Sequence, residues 1–355
     1  MKILHLPTSV GGNSWGLAQG EKKLGLESYV LITENNWLEY KSDICLNLEN
    51  KSKVQNILIR LKTFLNIRNK FDVYHFNFGS SLVDFNKYGI LLWDLPFYDG
   101  KIFMTYNGCD ARQKYPTMRR VKFSACHEEN CYGGICNDGK LDRIKKKKIK
   151  KASKYVNHFF TLNPDLMHFL PKEKTSFLPY AISGWYGIDY EFKEIKDTIN
   201  ILHAPTNREL KGSKYIITAL NNLKNRYGNK INITIVEKVP YKKALELYKK
   251  AHIVIDQVLI GWYGALGVEV MKSGKALAVF IRDEDLQFIP NKMAKELKEA
   301  VINITPYNIE EVLSTYIENP LLIKRKAEAG YEFARKWHDP EYVASITKSY
   351  YERNY

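Results

Sequence analysis

Hydrophobic positions along the chain gather in short runs, separated by longer stretches in which apolar residues recur every three or four positions. The runs KILHLPT, SYVLIT, DVYHFNF, KIFMTYN and VNHFFTL predict strands in the first half, and INILHAP, INITIVE and IVIDQVL predict strands in the second. Between the latter, KGSKYIITALNNLKNRYG and YKKALELYKKA have the helical period. Strands that alternate with helices predict parallel sheets covered by helices on both faces.

The alternation is interrupted by a loop near residues 180–198 and then restarts. The chain has 355 residues, and single cores usually divide beyond ~250–300 residues. We therefore predict an α/β protein with two Rossmann-like domains, residues 1–182 and 183–337, whose parallel sheets face a central cleft. Ligands of such sheets bind at the carboxyl ends of the strands. The first domain is expected to carry a cysteine-containing insertion at about 109–140, and a last helix at 338–355 to cross back to it.

The chain is strongly basic, with 54 Lys and Arg against 39 Asp and Glu, a formal net charge of +15 and a pI near 9.3. This balance favours anionic partners such as nucleotide phosphates, nucleic acid or an anionic membrane. Much of the charge lies in a run between Lys145 and Lys154. Such a run is usually a solvated helix face, and the alternative is a patch that docks on anionic lipid. Aromatic residues do not interleave with these lysines as a stacking surface requires, so nucleic acid is not an expected partner.

Segments that would direct the chain to or through a membrane are not evident. No apolar run is long enough to span a bilayer, and the amino-terminal MKILHLPTSVGG reaches a proline and two glycines too early for a signal peptide. The five cysteines, an odd number, argue against a disulfide framework. We therefore expect a cytoplasmic protein, which the lysine run would allow to attach peripherally at the inner face of the plasma membrane.

Three cysteines, Cys126, Cys131 and Cys136, follow one another at five-residue intervals. Together with Cys109 or His127 they would supply four ligands for a tetrahedral structural zinc. The spacing is wider than in the commonest CxxC knuckles, and reduced thiols in a loop or an adventitious disulfide are the alternatives. A zinc ion here would brace the insertion and take no part in the chemistry.

The stretch ILHAPTNRELKG places two cations, Arg208 and Lys211, between the first strand of the second domain and the helix that follows. Cations beside a helix amino terminus form an anion site, and paired phosphates suit such a site. The alternative is that both are solvated surface cations. Their place after the first strand of the second sheet favours the phosphate site.

One carboxylate, Glu269, lies within the apolar stretch IGWYGALGVEVMKSGKALAVF. Gly261, Gly264 and Gly267 would let the backbone turn tightly and approach a ligand, and we predict that a helix begins near Ala265. A ribose would offer two hydroxyl donors to the carboxylate while the helix amino terminus faces the phosphates. A cation of the same domain would satisfy the carboxylate equally well.

Two of these stretches, HAPTNRELKG and DQVLIGWYGALGVEVMKSGKALAV, resemble the donor-binding half of family 4-like glycosyltransferases of the GT-B fold. In the first half, GGNSWGLAQGEKKLG resembles the first glycine loop and helix of that family. The stretches that follow in the family's order are FDVYHFNFG, DLPFYDGKIFMTYNGCDAR, FFTLNPDLMHFLP and TSFLPYAIS. The resemblance covers nearly the whole chain, although Gly261 stands where many members have the first of two glutamates.

The resemblance implies a retaining hexosyltransferase of GT-B architecture that requires no cofactor or metal for catalysis. Its second domain would bind a UDP or GDP sugar, with Glu269 on the ribose and with Arg208 and Lys211 neutralising the departing diphosphate. Gly11 and Gly12 would let the first loop approach the phosphates or the sugar. The other donor-binding positions that it implies are Tyr263, Gly264, Ala265, Leu266, Val236 and Lys238.

On the acceptor side, the resemblance implies roles for His75, Asn77, Asp110 and Arg112, with Asn107 and Asp110 near the reacting groups. Family members often have histidine at the positions of Asn107 and Asn77. An asparagine can hydrogen-bond a hydroxyl or a carbonyl, but it cannot act as a base at neutral pH. For His75 a satisfied core residue is the commoner alternative, and Asp110 could instead cap the next helix and pair with Arg112.

These observations together predict a retaining glycosyltransferase. It would move a sugar from a nucleoside diphosphate to a hydroxyl of a cell-envelope glycan or a lipid-linked acceptor. Two alternatives stay open at this stage. One is a GT-B-fold epimerase or phosphorylase, and the other is a catalytically silent subunit that binds a sugar nucleotide or a glycan.

Overall fold

The computed structural model describes residues 1–35, 40–237, 239 and 241–355. The strands are β1 (Lys2–Leu6), β2 (Glu27–Ile32), β3 (Ile44–Cys45), β4 (Val73–Asn77), β5 (Lys101–Tyr106), β6 (His158–Thr161), β7 (Thr175–Phe177), β8 (Ile199–His203), β9 (Ile231–Ile235), β10 (Ile253–Ile255), β11 (Ala276–Val279) and β12 (Val301–Asn303). The α-helices are α1 (Asn13–Lys23), α2 (Lys53–Ile67), α3 (Lys114–Arg120), α4 (Lys140–Ala152), α5 (Arg208–Lys211), α6 (Ser213–Tyr227), α7 (Tyr241–Lys249), α8 (Ala265–Lys272), α9 (Asn291–Ala300), α10 (Ile309–Glu318), α11 (Leu321–Trp337) and α12 (Pro340–Tyr351). Within the described part of the chain, none of these helices combines the length and the apolar character that crossing a membrane requires.

The described chain divides into two compact units, and each is assembled from separate segments of the sequence. The first unit contains residues 1–113, 139–184 and 338–355, and the second contains residues 114–138 and 185–337. The second unit therefore resumes after residue 184, where the sequence pattern indicated a boundary after residue 182. The cysteine-containing segment at about 109–140 was predicted to belong to the first domain, whereas most of it lies in the second unit.

The segment 114–138 belongs to the second unit through both apolar and ionic contacts. The ring of Phe123 lies 5.0 Å from the ring of Phe280. The Arg120 guanidinium forms an ion pair with the buried Asp285 at 2.8 Å. Because these partners follow the segment by about 160 positions, no local sequence pattern could have assigned it to the correct unit.

The first unit is built on a parallel sheet of seven strands in the order β3-β2-β1-β4-β5-β6-β7. The chain moves outward from β1 to β3 and then returns to the other side of β1 at β4, so the direction of winding reverses between β1 and β4. This reversal brings the loops after β1, β4 and β5 together at the carboxyl edge of the sheet. Helices α2 and α4 pack on the same face of the sheet, because Phe64 and Ile149 belong to one buried cluster.

Helix α12 completes the first unit by packing against α1. Gly20 of α1 has no room for a side chain, because a Cβ atom there would collide with the carbonyl group of Pro340. Next to this contact, the fully buried carboxylate of Glu21 accepts hydrogen bonds from the hydroxyls of Ser28 (2.6 Å) and Tyr351 (3.0 Å). A buried carboxylate without donors costs several kcal/mol, roughly, so these bonds tie the last helix to this unit.

The second unit is built on a parallel sheet of five strands in the order β12-β11-β10-β8-β9. Here the winding reverses between β8 and β10, because β9 lies on one side of β8 and β10 on the other. Isoleucines of the central strands, Ile201, Ile253 and Ile255, are fully buried in one cluster with apolar residues of α6 and α10. The loops after β8 and β10 are therefore neighbours at the carboxyl edge, where open α/β sheets bind ligands.

Candidate functional site

A buried ion pair joins the two loops at the reversal point of the second sheet. Lys211, at the end of α5, reaches Asp256, the first residue after β10, with 2.5 Å between Nζ and Oδ1. The other carboxylate oxygen of Asp256 accepts the amide of Gly264 at 3.2 Å. Asp256 is fully buried and so connects the loop after β8 to the GWYG loop. Sequence analysis did not single out Asp256, although a carboxylate that ends the apolar run IVI is the kind of signal that could have found it.

The two cations predicted after β8 lie in different environments. The side chain of Lys211 is 11% exposed, whereas that of Arg208 is 54% exposed. Arg208 donates two hydrogen bonds of 2.7 Å to the carboxylate of Glu237, and this neighbour raises the pKa of the guanidinium. Asn207 begins α5 by accepting the amide of Leu210 at 2.7 Å, which fixes the turn that carries both cations.

The loop between β10 and α8 is held by the side chain of Gln257, which is fully buried. Its amide nitrogen donates to the carbonyl of Phe280 at 2.8 Å, and its oxygen accepts the amide of Ile260 at 2.5 Å. Gly261 adopts a φ of +88°, and a Cβ atom there would lie 3.0 Å from the side chain of Arg282. The shape of this loop is therefore set by the protein itself.

Helix α8 begins at Ala265, which confirms the sequence-based prediction of its start. Gly264 precedes it with open space where a side chain would lie, and Gly264, Ala265 and Leu266 are all partly exposed. Because amides in the first turn of a helix have no acceptor within the helix, this end of α8 can receive an anionic ligand. Tyr263 is fully buried and its ring stacks on Trp262 at 4.5 Å, so only its backbone could contact such a ligand.

Glu269 lies about one turn inside α8 and is 5% exposed. Burial raises the pKa of Tyr248 in α7, and the charge of Glu269 is the next cause of that increase. Val236, directly after β9, is buried and donates its amide to the carbonyl of His203 at 2.9 Å, whereas Lys238 lies outside the described residues. A buried carboxylate this close to an open helix terminus can accept hydrogen bonds from a ligand bound there.

His203 ends β8 and lies fully buried beneath these loops. Its Nδ1 is 2.8 Å from the carbonyl oxygen of Ile255, and its Nε2 is 2.8 Å from the hydroxyl of Ser213. Because a carbonyl only accepts, Nδ1 carries the proton and Nε2 accepts from the hydroxyl. Burial lowers the pKa of His203 to about 4. This histidine is therefore a neutral framework residue that connects β8, β10 and α6.

The glycine loop after β1 is shaped by close packing inside the first unit. Gly11 and Gly12 have φ angles of +64° and +69°, which favour glycine. A Cβ atom at Gly12 would lie 2.5 Å from Oγ of Ser183, and one at Gly16 would collide with the carbonyl of Ala181. The fold alone thus accounts for glycine at position 12, and the predicted approach of a ligand is not needed to explain it.

Several buried polar atoms at the carboxyl edge of the first sheet have no hydrogen-bond partner among the described residues. They are Thr8 Oγ1, Ser9 Oγ, Asn13 Nδ2, Asn77 Oδ1, the Tyr106 hydroxyl and Asn107 Oδ1. These atoms come from the ends of β1, β4 and β5, which are adjacent, and Asn107 Nδ2 donates to the Val10 carbonyl across two of the loops at 3.4 Å. Native proteins rarely leave such atoms unpaired, so this edge suits a ligand that carries hydroxyl groups.

Asp110 and Arg112 are both engaged with the protein framework at this edge. The Asp110 carboxylate accepts the amides of Asn107 (2.9 Å) and Gly108 (2.6 Å) and closes the turn after β5, and burial raises its pKa. Arg112 instead pairs with the buried Asp165 through hydrogen bonds of 2.6 and 2.9 Å. Arg112 forms its ion pair with Asp165, and its charge partly offsets the effect of burial on the pKa of Asp110. The alternative that Asp110 caps the next helix and pairs with Arg112 stays a prediction. An acceptor that contacts Asp110 or Arg112 would therefore have to bind a side chain that already forms hydrogen bonds within the protein.

His75 is a fully buried residue of β4, and both ring nitrogens are occupied. Nδ1 lies 2.5 Å from the Tyr351 hydroxyl, and Nε2 lies 2.6 Å from the Thr105 hydroxyl. Burial lowers the pKa of His75 well below its ordinary value. The interpretation of His75 as a satisfied core residue is thus confirmed, and the acceptor-side role that the resemblance implied is not favoured by its surroundings.

The predicted zinc site is not formed in the described part of the chain. No three His, Cys, Asp or Glu side chains there lie close enough together to hold a metal ion. His127 interacts with a serine hydroxyl at 3.0 Å, and Cys131 packs against the core of the second unit. Cys126 and Cys136 lie in the same second-unit segment, whereas Cys109 belongs to the first unit. The described cysteines thus do not assemble a ligand set in this structure, and zinc binding by them stays a prediction from the sequence.

No protein-family model and no curated protein sequence matches this chain. Solved structures do match it over nearly its whole length. Sucrose-phosphate synthase from Thermosynechococcus elongatus aligns with a TM-score of 0.64 at 12% identity, covering 99% of this chain and 98% of that one. HepE from Anabaena in complex with UDP-glucose aligns at 0.62 and 11%, covering 98% of both chains. UDP-GlcNAc 2-epimerase from Neisseria meningitidis bound to UDP-GlcNAc aligns at 0.51 and 16%, covering 98% of this chain and 100% of that one.

The protein therefore has the GT-B fold, with two parallel α/β units of seven and five strands. Its structural neighbours include a sucrose-phosphate synthase, HepE in complex with UDP-glucose, and an epimerase bound to UDP-GlcNAc. At sequence identities of 11–16%, these structural alignments establish the shared fold but do not establish the reaction. Membership of family 4 stays a prediction from the sequence.

Proposed function

We propose that the protein is a glycosyltransferase whose nucleotide-sugar donor binds at the carboxyl edge of the second sheet. The observation that carries the proposal is that Lys211 is linked through Asp256 to the open amino terminus of α8, one turn before Glu269. Positive charge beside an accessible helix terminus suits a diphosphate, and a buried carboxylate just beyond suits the two hydroxyls of a ribose. UDP-glucose in HepE and UDP-GlcNAc in the epimerase support a uridine donor, with GDP as the alternative.

In the proposed reaction, the bond between the anomeric carbon and the diphosphate breaks, and the acceptor hydroxyl bonds to the same face of that carbon. The configuration of the sugar is thereby retained. Arg208 and Lys211 stabilise the negative charge that develops on the leaving diphosphate. Asn107 has no atom that is basic at neutral pH, so a diphosphate oxygen takes the proton of the acceptor hydroxyl. The Asp256 carboxylate holds Lys211 in place before the donor binds.

The acceptor is proposed to bind the first unit, at the unpaired polar atoms of residues such as Ser9, Asn77 and Asn107. Amide and hydroxyl groups recognise a neutral polyhydroxylated ligand through hydrogen bonds alone. A glycan of the cell envelope or a lipid-linked sugar has this chemistry. Acceptor hydroxyls would satisfy buried atoms whose desolvation is otherwise uncompensated.

The lysine run between Lys145 and Lys154, most of which forms α4, is proposed to face an anionic membrane that carries the acceptor. Lys148 is turned inward and pairs with Asp84 at 2.6 Å. The exposed lysines of the run are Lys146, Lys147, Lys150 and Lys154. Each such cation near an anionic surface contributes about 1 kcal/mol of attraction, so four of them provide weak, reversible attachment.

A titration of the purified chain with UDP, GDP, ADP and CMP tests the donor site. We expect one nucleotide to bind, and Glu269→Ala to weaken it by about tenfold or more, since hydrogen bonds to a charged group contribute ~1.5–3 kcal/mol. Glu269→Gln keeps the shape and removes the charge, and Glu311→Ala, at an exposed position of the same unit, is the matched control. Unchanged affinity in folded Glu269→Ala would remove the ribose assignment.

The epimerase alternative is kept because UDP-GlcNAc 2-epimerase covers the full length of this fold. Mass analysis of products separates the two reactions. A transferase yields a glycosylated product and free nucleotide only when an acceptor is added. An epimerase converts the donor to an isomer of the same mass without any acceptor, and a silent subunit binds nucleotide without turnover.

A further inference from the structure

Helix α2 carries a row of aliphatic side chains that point away from the core of the first unit. Val54, Leu58 and Leu65 are 66%, 59% and 63% exposed. Their spacings of four and seven residues place them on one side of the helix. Phe64, by contrast, is buried against the sheet. Contiguous apolar side chains at this level of exposure mark an interaction surface.

A second group of exposed apolar side chains lies beside α2, in the loop between β4 and β5. Trp93 and Phe97 are 44% and 43% exposed, and their rings lie 6.1 and 6.4 Å from the ring of Phe64. Tyr88 and Ile90, in a small hairpin of this loop, are 55% and 40% exposed. We call the two groups together the apolar face: Val54, Leu58, Leu65, Tyr88, Ile90, Trp93 and Phe97. Aliphatic side chains combined with Trp and Tyr are typical of surfaces that enter a lipid interface.

The apolar face is accompanied by charge of one sign. Residues 51–70, which include α2, hold six cations and no carboxylate: Lys51, Lys53, Arg60, Lys62, Arg68 and Lys70. Arg60 is turned inward and donates to the carbonyl of Leu82 at 3.0 Å, whereas the other five are exposed. A helix with an exposed aliphatic row and only basic charges is the pattern of an interfacial helix.

The lysine-rich helix α4 contacts the same loop as α2. Arg60 of α2 bonds to Leu82, and Lys148 of α4 pairs with Asp84, so the two helices hold neighbouring residues of one loop. Both helices also pack on the same face of the sheet. The exposed lysines of α4 therefore extend the basic surroundings of the apolar face.

We propose that the apolar face enters the surface of an anionic lipid bilayer, with Leu58, Leu65 and Trp93 at the acyl boundary and the lysines of α2 and α4 on the headgroups. A second copy of the chain fits this face less well, because two basic surfaces would then be brought together. An anionic bilayer instead neutralises them while it covers the apolar side chains. The inference rests on the membrane contact proposed above for the lysines of α4 and extends it to α2 and the loop between β4 and β5. Docking of this kind does not depend on the reaction that the two units carry out.

Co-sedimentation of the full chain with lipid vesicles tests this inference. The vesicles contain either phosphatidylcholine alone or phosphatidylcholine mixed with phosphatidylglycerol. We expect binding to the anionic vesicles, and a loss of about tenfold or more in affinity for the double variant Leu58→Gln/Leu65→Gln. The matched control is Leu321→Gln, since Leu321 is 70% exposed on the second unit, and it should bind like the unaltered chain. Because all three leucines are exposed, none of the substitutions should cost much folding stability.

Three results would overturn the inference: no binding of the unaltered chain to anionic vesicles, equal binding of the double variant, or a dimer in light scattering that the double variant dissolves. The last result would make a second copy the partner. Quenching by brominated lipid supplies a separate readout, since the quenched fraction of fluorescence should decrease in Trp93→Phe. Nucleotide titration of the double variant is run in parallel and should be unchanged, so that failure at the membrane is distinguishable from failure of the donor site.

Discussion

The carboxyl edges of the two sheets share one topology and differ in chemistry. At the second sheet, Lys211 and Asp256 place charged groups beside an open helix terminus, and Arg208 adds a cation in the turn after β8. At the first sheet, Ser9 and Asn107 are among neutral groups whose buried polar atoms have no partner in the described residues. The fold supplies an edge where loops meet, and the residues placed there select the ligand. One edge is suited to an anion and the other to hydroxyl groups.

The glycines of the two edges differ in the same way. Gly12 is surrounded by its own unit, because a Cβ atom there would lie 2.5 Å from Ser183 Oγ. At Gly264 a Cβ atom would meet nothing within 4 Å. These two glycines therefore have distinct causes, close packing at Gly12 and open access at Gly264.

Acidification should produce the largest effect, and in both units. Burial lowers the pKa of His158 and His338 in the first unit, and of His203 and His252 in the second, to about 4. Such histidines bind protons more readily in the unfolded chain. The stability that they contribute is therefore fully present above about pH 6.5 and is lost as the pH falls toward 4. Each contributes about 1.4 kcal/mol per pH unit in this window. We expect the free energy of unfolding in urea to fall by several kcal/mol between pH 7 and pH 5.

Two carboxyl groups of the first unit oppose this trend. Burial raises the pKa of Asp94 and Asp110, and a raised carboxyl pKa adds stability as the pH falls. In the first unit these two groups offset part of the stability that is lost through three of its buried histidines, because His75 joins His158 and His338 there. A urea midpoint that does not move between pH 7 and pH 5 would contradict the role of the buried histidines.

Removing the cation of the buried ion pair should produce the next largest effect, confined to the charged edge. Lys211→Met leaves the Asp256 carboxylate buried without this partner, which should cost about 3–5 kcal/mol of unfolding free energy. The double variant Lys211→Met/Asp256→Asn removes the charge as well and should recover most of the loss. Urea denaturation of both variants measures this, and equal stability of the single variant and the unaltered chain would contradict it.

A side chain at the packed glycine should have a smaller effect. Gly12→Ala meets both a left-handed backbone and the Ser183 side chain, and should cost about 1–3 kcal/mol of unfolding free energy. Adding Ser183→Gly should restore the part that comes from the collision. Thermal unfolding compares the two variants. If Gly12→Ala keeps full stability, close packing is not the reason for this glycine.

A side chain at the open glycine should affect the fold least. Gly264→Ala has room for its methyl group, so we expect a change in stability within about 0.5 kcal/mol. The same methyl group would stand where a diphosphate approaches α8, so nucleotide affinity should fall by about tenfold. Calorimetric titration measures this, with Gly12→Ala as the comparison. Equal nucleotide affinity in Gly264→Ala and the unaltered chain would mean that no ligand approaches this glycine.

The strands that the sequence predicted are those with long apolar runs. Eight were recognised, and the four that were not, β3, β7, β11 and β12, contain only two to four residues each. Strands this short show no period of their own, and β10, which is equally short, was recognised because its apolar run continues beyond the strand. For β11 the apolar run also begins within α8, so one run conceals a helix, a turn and a strand. Helix α2 has a clear period and a row of basic residues, and it could have been found from the sequence.

The site was predictable where residue type alone indicates chemistry. The cations after β8 and the start of α8 followed from the sequence, although their roles stay predictions. The carboxylates that organise the site did not, because Asp256 pairs with a residue 45 positions away and Glu237 with one 29 positions away. The unpaired atoms of the first edge belong to ordinary Ser, Thr and Asn residues. Only the folded chain shows that they are buried without partners.

The packing of α12 on α1 has a consequence for the order of events during synthesis. The Glu21 carboxylate accepts a hydrogen bond from the Tyr351 hydroxyl, 330 positions away, and Gly20 packs on Pro340, which is almost as distant. A ribosome therefore finishes the second unit before it releases the helix that completes the first. Domains generally fold as units while the chain emerges, so the half of the protein that is translated last becomes compact first. Until α12 has been synthesised, the first unit lacks the helix that packs on α1, and the Glu21 carboxylate stays accessible to water.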